Sequence, residues 1–317
     1  MASAPTAPPS LNAMPGGWDD EERAALVALL RLQPEGLSWQ EIAVRVASVG
    51  SARVVWDDLT QGVLFDVDGA TEAARQAATE DVDKWRQAHF RFLTFMDADY
   101  PVRLRDVRQI PPVIFTRGDL LAGDRGVSVV GSRAASDDGR RFASRVAQEL
   151  AARGLTTVSG LAAGIDTAAH VAALDAGGRT VAVIGTGITR WFPEENRELH
   201  ERIAADGLLL SQFWPDAPPT RFTFPMRNAV MSAYGHATVV VEAGEKSGAR
   251  IQAREAVQHG RPVVLSREVV RRTRWGAAMV GSPGVRVADS PEEAIECVEA
   301  FLRLDDTVGE LLSLAGG

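Results

Sequence analysis

The spacing of apolar and polar positions divides the chain into two differently built parts. Residues 18–34, "WDDEERAALVALLRLQP", put Leu26, Leu29 and Leu30 on one helical face. "LSWQEIAVRVA" follows, with Ser38 placed as N-cap and Glu41 three residues on, the spacing of a capping box. "EAARQAATEDVDKW" predicts a third helix over roughly 71–88, and Pro34-Glu35-Gly36 predicts a turn. No strand pattern precedes Phe90, so residues 18–88 read as a small helical domain. Its stretch of helix followed by capped helix is acidic where a DNA-reading helix is basic, which favours packing or partner binding.

The prolines Pro101, Pro111 and Pro112 exclude a regular helix across the join that follows. From Val127 the pattern alternates. Strands are predicted at 127–130, 155–159, 180–184, 208–210, 237–242 and 262–265, and helices at 137–153, 194–206, 226–234 and 248–259. A further helix ends at Gly177-Gly178. In the first of these helices Phe142, Val146 and Leu150 recur four apart, and Gly154 stops it. The strands are apolar on both faces and alternate with helices, which predicts an α/β fold: a doubly wound, Rossmann-like parallel sheet covered on each side. "GVRVADSPEEAIECVEAF" adds a short strand and a helix capped by Ser290, with Pro291 at N1 and Glu293 at N3. The expected organisation is a disordered Pro- and Ala-rich lead-in over 1–17, a helical domain over 18–88, and a Rossmann-like domain with a strand-helix extension over 89–317.

A parallel sheet collects its strand-to-helix turns on one edge, where such folds bind ligands. Four turns there are rich in glycine and small polar residues: "GSRAAS" (131–136), "SGLAAGID" (159–166), "GTGITRWFPEEN" (185–196) and "EAGEKSGAR" (242–250). Gly131, Gly160, Gly164 and Gly248 allow close backbone approach, and helix-start N–H groups favour anionic oxygens. Ser132, Ser136, Ser159 and Ser247 offer hydroxyls, Arg133 and Lys246 positive charge. Arg227 and Asn228 open another helix near the same edge. Asp166 reads equally as N-cap and as ligand. His170, one turn further on, reads as helix packing. A phosphate site is the expectation; whose phosphate the turns leave open.

Composition narrows this. With 45% hydrophobic and 24% charged residues the chain is ordinary globular protein. One cysteine, Cys297, excludes a disulfide framework and any multi-cysteine metal site, and suits a cytoplasmic location. No apolar run approaches the roughly 18 residues that cross a bilayer, and the N-terminus lacks a secretory pattern, so no membrane partner is expected. The net charge of −8 is uneven: residues 1–90 carry 14 acidic and 7 basic side chains, residues 291–317 carry 7 and 1, leaving a middle of net +5 open to a polyanion. The basic string "SREVVRRTRW" (Arg267, Arg271, Arg272, Arg274) is a candidate second DNA-facing patch, weighed against ordinary solvated surface. Signatures of P-loop NTPases, dinucleotide-binding enzymes, zinc proteases and serine hydrolases are missing, and no cofactor or metal is expected.

At "DADYPVRLRDV…PPVIFTRGDL", "VSVVGSRAAS", "TVSGLAAGIDTAAHVAALDAGGRTVAVIGTGI", "WFPEENRELHERIAADGLLLSQF", "FTFPMRN" and "VVVEAGEKSGARIQAREA" the sequence resembles the DNA-processing protein A (DprA/Smf) family, from about Phe90 to Val264. The resemblance implies a Rossmann-like domain behind a small all-helical, SAM-like N-terminal domain. It also implies single-stranded DNA binding without enzymatic activity, homodimers, and a RecA-type recombinase as partner during DNA uptake in natural transformation. It carries DNA contact onto Arg133, Arg227 and Lys246, with Gly131, Ser132, Ser159, Gly160, Gly164, Ser247 and Gly248 shaping the pocket. Ala229 stands where the family continues with a second arginine, "SGARIQA" replaces S-G-S-L-I-T-A, and the winged helix of many members is not expected here. Two further readings stay open: a nucleotide sensor in defence or signalling, and a nucleotide phosphoribohydrolase. Gln252 stands where such a hydrolase has its glutamate, and an amide cannot supply the carboxylate that glycosidic cleavage wants; Glu242 is the substitute to consider. Trp191, Phe192, Phe222 and Phe224 are the candidate platforms for unpaired bases.

Overall fold

The computed structural model describes residues 18–60 and 69–315, with side chains as far as 311; the lead-in expected over 1–17 lies outside them. The chain divides into two compact units, residues 1–100 with 108–114, and residues 101–107 with 115–317.

In the first unit α1 (Asp20–Leu32) is capped by Asp19, whose carboxylate accepts from the Glu22 N–H at 2.9 Å. Ala24 to Leu30 are all at most 1% exposed, so this helix is surrounded rather than one-sided. α2 (Trp39–Val49) begins at the capping box formed by Ser38 and Glu41. α3 (Ala52–Thr60) was not legible as an element, and α4 (Ala70–Arg86) matches the third expected helix. α3 is capped twice: Ser51 Oγ accepts from Val54 N at 3.2 Å, and the buried Glu22 carboxylate of α1 accepts from Ala52 N at 2.6 Å, Arg53 N at 3.1 Å and Ser51 Oγ at 2.7 Å. β1 (Arg91–Thr94) belongs to this unit too.

No helix runs across the join, as its prolines predict, and they bracket two short elements. A single turn, α5 (Val102–Arg105), follows Pro101, and β2 (Val113–Gly118) starts directly after Pro112. The second unit then alternates through β3 (Gly126–Gly131), α6 (Asp137–Ala152), β4 (Thr156–Ser159), α7 (Ile165–Asp175), β5 (Thr180–Val183), α8 (Arg197–Asp206), β6 (Leu208–Ser211), α9 (Thr223–Tyr234), β7 (Ala237–Glu242), α10 (Gly248–Gln258), β8 (Val263–Ser266), α11 (Arg267–Arg272), α12 (Arg274–Met279), β9 (Val285–Ala288) and α13 (Pro291–Ala315). Val127, Val129, Val239 and Val241 meet Val146, Leu150, Ile165 and Ile295 in one core cluster, and Cys297 lies in it as a buried thiol.

The expected mixed α/β architecture holds, with one correction to the sheet. Its order in this unit is β2-β6-β5-β4-β3-β7-β8-β9, and every pair is parallel except β2 with β6. The antiparallel strand follows from the proline-broken join, which carries the chain to that edge without a crossover helix. From β3 the chain winds outward through β4, β5 and β6, then returns to β3's other side for β7, β8 and β9. The order thus reverses between β3 and β7, and the crevice beyond their carboxyl ends is the switch point of a doubly wound sheet.

Candidate functional site

At that crevice the ladder slips. Val130 pairs with Val240 but Gly131 pairs with Glu242, so one extra residue of β7 turns both strand ends outward. Above them lies a hollow of about 510 Å³, lined by Gly131, Ser132, Arg133, Asp166, Arg227, Asn228, Lys246, Ser247 and Gly248, with Phe224, Met231, Ala249 and Gln252. Arg133 also lines two neighbouring clefts, one with Gly160, Phe192 and Phe224, the other with Gly164 and the α6 and α7 surfaces. Three of the four glycine-rich turns and the start of α9 therefore meet, and the fourth turn adds Phe192 beside them.

The expected residues do not serve alike. Arg133 and Lys246 are exposed, and neither forms an ion pair among the described residues, although Asp166 lines the same hollow and Glu195 and Asp175 line the clefts beside Arg133. The Arg133 guanidinium lies 5.0 Å from the Phe224 ring centre, and Phe192 lies 5.6 Å from Phe224. Trp191 instead donates to Glu201 and stacks under Arg197, while Phe222 carries Arg221; neither lines the hollow.

Arg227 is 5% exposed and its donors are committed. Nη1 donates to the carbonyls of Gly160 and, at 2.8 Å, Val183, and Nε donates to Asn228 Oδ1 at 3.0 Å. It ties α9 to the ends of β4 and β5. Gly160 is required for this: a Cβ there would stand 1.8 Å from Arg227 Nη1. Gly164, at φ +83° and with Ser132 O where a Cβ would go, closes the neighbouring turn. Asp166 accepts from Gly160 N at 3.2 Å and Ala162 N at 3.4 Å. Burial pushes its carboxyl up, opposed by the Arg227 charge and by those N–H groups. Asp166 is thus a buried brace for the 159–166 turn.

The hydroxyls of Ser136 and Ser159 also turn away from the hollow. Ser159 Oγ donates to Val129 O at 2.6 Å, and Ser136 caps α6 by accepting from Gly139 N at 3.0 Å while bonding Glu242. Ser247 caps α10, and Asn228 Nδ2 donates to Gly248 O at 3.3 Å. Ala229 is buried and does not line the hollow. In the proposed second patch, Arg267 pairs with Asp289, Arg272 with Glu268 and Arg274 with Glu245; Arg271 forms no direct ion pair among the described residues, though its charge reaches Asp289. Three of its four charges are therefore neutralised locally, which weakens it as a patch.

The architecture is thus a doubly wound, mostly parallel α/β sheet with a hollow at its switch point. A sequence profile described as DNA recombination-mediator protein A matches residues 91–299, and this chain belongs to that family. It is 36% identical over 241 residues to the DNA processing protein DprA of Streptococcus pneumoniae, covering 74% of this chain and 84% of that one. It is 41% identical over 187 residues to Protein Smf of Synechocystis, covering 57% of this chain and 47%, about half, of that longer protein. The X-ray structure of pneumococcal DprA superposes with TM-score 0.68 at 28% identity, over 87% of this chain and 95% of that one. A solved structure of DNA processing protein A from Helicobacter pylori, studied for its single-stranded DNA binding mode, gives TM-score 0.59 at 23% identity over 67% of this chain and 97% of that one, a likeness of fold.

Proposed function

We propose that this chain binds single-stranded DNA through its backbone in the switch-point hollow and acts, as a homodimer, as a recombination mediator that passes the strand to a RecA-type recombinase during DNA uptake. One observation carries the reading. Arg133 and Lys246, from two different loops, line the same 510 Å³ hollow without an ion-pair partner among the described residues; the carboxylate that lines it, Asp166, is buried beside Arg227 and taken by backbone N–H groups, and the surrounding polar groups are spent on the fold. Phe224 and Phe192 beside Arg133 supply faces on which unpaired bases stack. The DprA of H. pylori, which shares the fold, is a single-stranded DNA binder.

The non-enzymatic reading draws support from the carboxylates. Asp166 is buried and hydrogen-bonded, Glu242 is held by Ser136 N at 3.1 Å and by its hydroxyl, and Gln252 is a buried amide. None is placed as an exposed acid or base in the hollow. The hollow's size also suits a nucleotide, which keeps the sensor reading as the second.

The test is fluorescence anisotropy of a labelled oligothymidylate over a salt series. Removing one cation from the phosphate backbone flattens the slope of log affinity against log salt by about 0.7. Arg133→Ala and Lys246→Ala are each expected to weaken binding and flatten the slope by that amount; affinities equal to wild type would remove both residues from the site. Thermal shifts with mononucleotides serve the second reading, which gains if one nucleotide stabilises strongly and oligonucleotides do not.

A further inference from the structure

The opposite edge of the same sheet carries a second cleft, of about 560 Å³. His236, Pro262 and Gly284 line it just before β7, β8 and β9 start, so it opens at the amino ends of the strands. Two arginines reach it. Arg103 touches Asp305 Oδ2 and the Gly235 carbonyl at 3.4 Å each, and Arg261 touches Asp106 Oδ2 at 3.4 Å. All three bonds are long. The Nε atoms of both arginines and Nδ1 of His236 are buried with no acceptor or donor to meet them. Unmet buried donors of this kind cost free energy unless something fills them.

Electrostatics point the same way. Burial and the neighbouring Arg261 pull the Arg103 guanidinium down to about 10, with Asp305 and Asp106 only partly offsetting them. Burial and the charges of Arg103, Arg125 and Arg261, against that of Asp305, hold His236 at about 4, so its imidazole is neutral. Two guanidinium groups thus press on each other around a donor-rich pocket. The rest of the wall is apolar: Val257, Phe301, Leu302, Leu304 and Val308, with Leu304 62% and Val308 46% exposed.

We propose that this cleft docks an acidic-hydrophobic peptide segment of a protein partner, one carboxylate entering between Arg103 and Arg261 and a flanking apolar side chain resting on Leu304 and Val308. The mixed lining selects this occupant over nucleic acid. Asp305 and Asp106 each hold one of the two arginines only at 3.4 Å and leave both Nε–H groups unmet, which suits one more carboxylate, while the apolar wall meets a flanking apolar side chain. A phosphate backbone carries no apolar groups to cover Phe301, Leu304 and Val308.

The test is nuclear magnetic resonance of the arginine Nε–H groups in the full chain, titrated with the blocked peptide acetyl-Leu-Asp-Phe-Asp-Leu-amide. The Arg103 and Arg261 signals are expected to shift saturably, and not with the Asn-for-Asp peptide. Arg261→Met is expected to weaken binding at least about thirtyfold, as loss of a desolvated charge partner does. Val308→Asp, at an exposed position that leaves the fold intact, is expected to weaken it about tenfold by charge repulsion. The proposal is overturned if inorganic phosphate or an oligothymidylate shifts the same signals as strongly as the peptide. Binding unchanged in Val308→Asp, or no shift with the peptide at all, overturns it too.

Discussion

At the scale of single residues, the difference between a ligand contact and a strut lies in where the donors go. Arg133 and Arg227 read identically in sequence, each an arginine in a family motif at the ligand edge. Only the fold shows that Arg227 Nη1 serves the Gly160 and Val183 carbonyls while Arg133 faces open space and the Phe224 ring. The same applies to Ser159, whose hydroxyl is taken by Val129 O. The turns and the two exposed cations were legible because glycine spacing and charge are written locally; donor commitments depend on side chains brought from elsewhere. The two arginines should therefore separate experimentally. Arg227→Met leaves Asp166 buried without its opposing charge and strands two carbonyls, and is expected to cost about 3–5 kcal/mol in denaturant unfolding. Arg133→Ala is expected to change stability by less than about 0.5 kcal/mol, as exposed substitutions do, while losing DNA affinity. A stability loss shared equally by the two variants would contradict the assignment.

At the scale of elements, sequence reading succeeded where an element carries a long or repeated signal of its own and failed where the element is short or flanked by prolines. α2 shows its capping box in four residues, and β7 and β8 show apolar runs of Val and Leu. α9 begins at Thr223, three residues before the expected start, because Pro225 sits in the first turn where its missing N–H costs nothing. β2 was hidden by the prolines before it. α3 has a local cap in Ser51 but spans only nine residues, and Glu22, thirty residues earlier on α1, supplies the acceptor for its first N–H groups. This gives α3 a specific vulnerability. Burial alone would raise the Glu22 carboxyl, but hydrogen bonds from Ser51, Arg53 and Ala52 outweigh it and hold it below the usual range. A depressed carboxyl stabilises above its unfolded value of 4.5 and loses that contribution as pH falls through the folded value. Glu22→Gln is expected to cost about 1.5–3 kcal/mol at pH 7, the worth of hydrogen bonds to a charged acceptor. Hydrogen exchange should show the loss concentrated in residues 52–60; protection there equal to wild type would refute a capping role for Glu22 beside Ser51.

At the scale of the whole molecule, the two units answer acid differently because of where the histidines are. His170, His200 and His236 all belong to the α/β unit. Thr180 Oγ1 donates to Thr157 O at 2.9 Å, so it accepts from His170 Nδ1 at 2.6 Å, which fixes the tautomer and leaves Nε2 bare in the core. Burial and the Arg227 charge hold His170 down to about 3, and burial holds His200 at about 4. These folded values lie below the ordinary 6.5, so the unfolded chain takes up protons first as pH falls. The stabilisation is therefore complete above pH 6.5 and drains below it, by up to about 1.4 kcal/mol per pH unit for each fully buried histidine. The helical unit depends on Glu22, whose contribution fades only below 4.5. Acidification is thus expected to unfold the two parts in order. Between pH 6.5 and 4.5 the α/β unit should weaken first, read by Trp214 and Trp275, while Trp39, Trp56 and Trp85 still report a folded helical unit. Single-tryptophan variants followed in urea at each pH would show the order, and His170→Gln should flatten the pH dependence of the α/β transition. Coincident transitions with no drop in midpoint between pH 6.5 and 5 would mean that these imidazoles are not held neutral in the core.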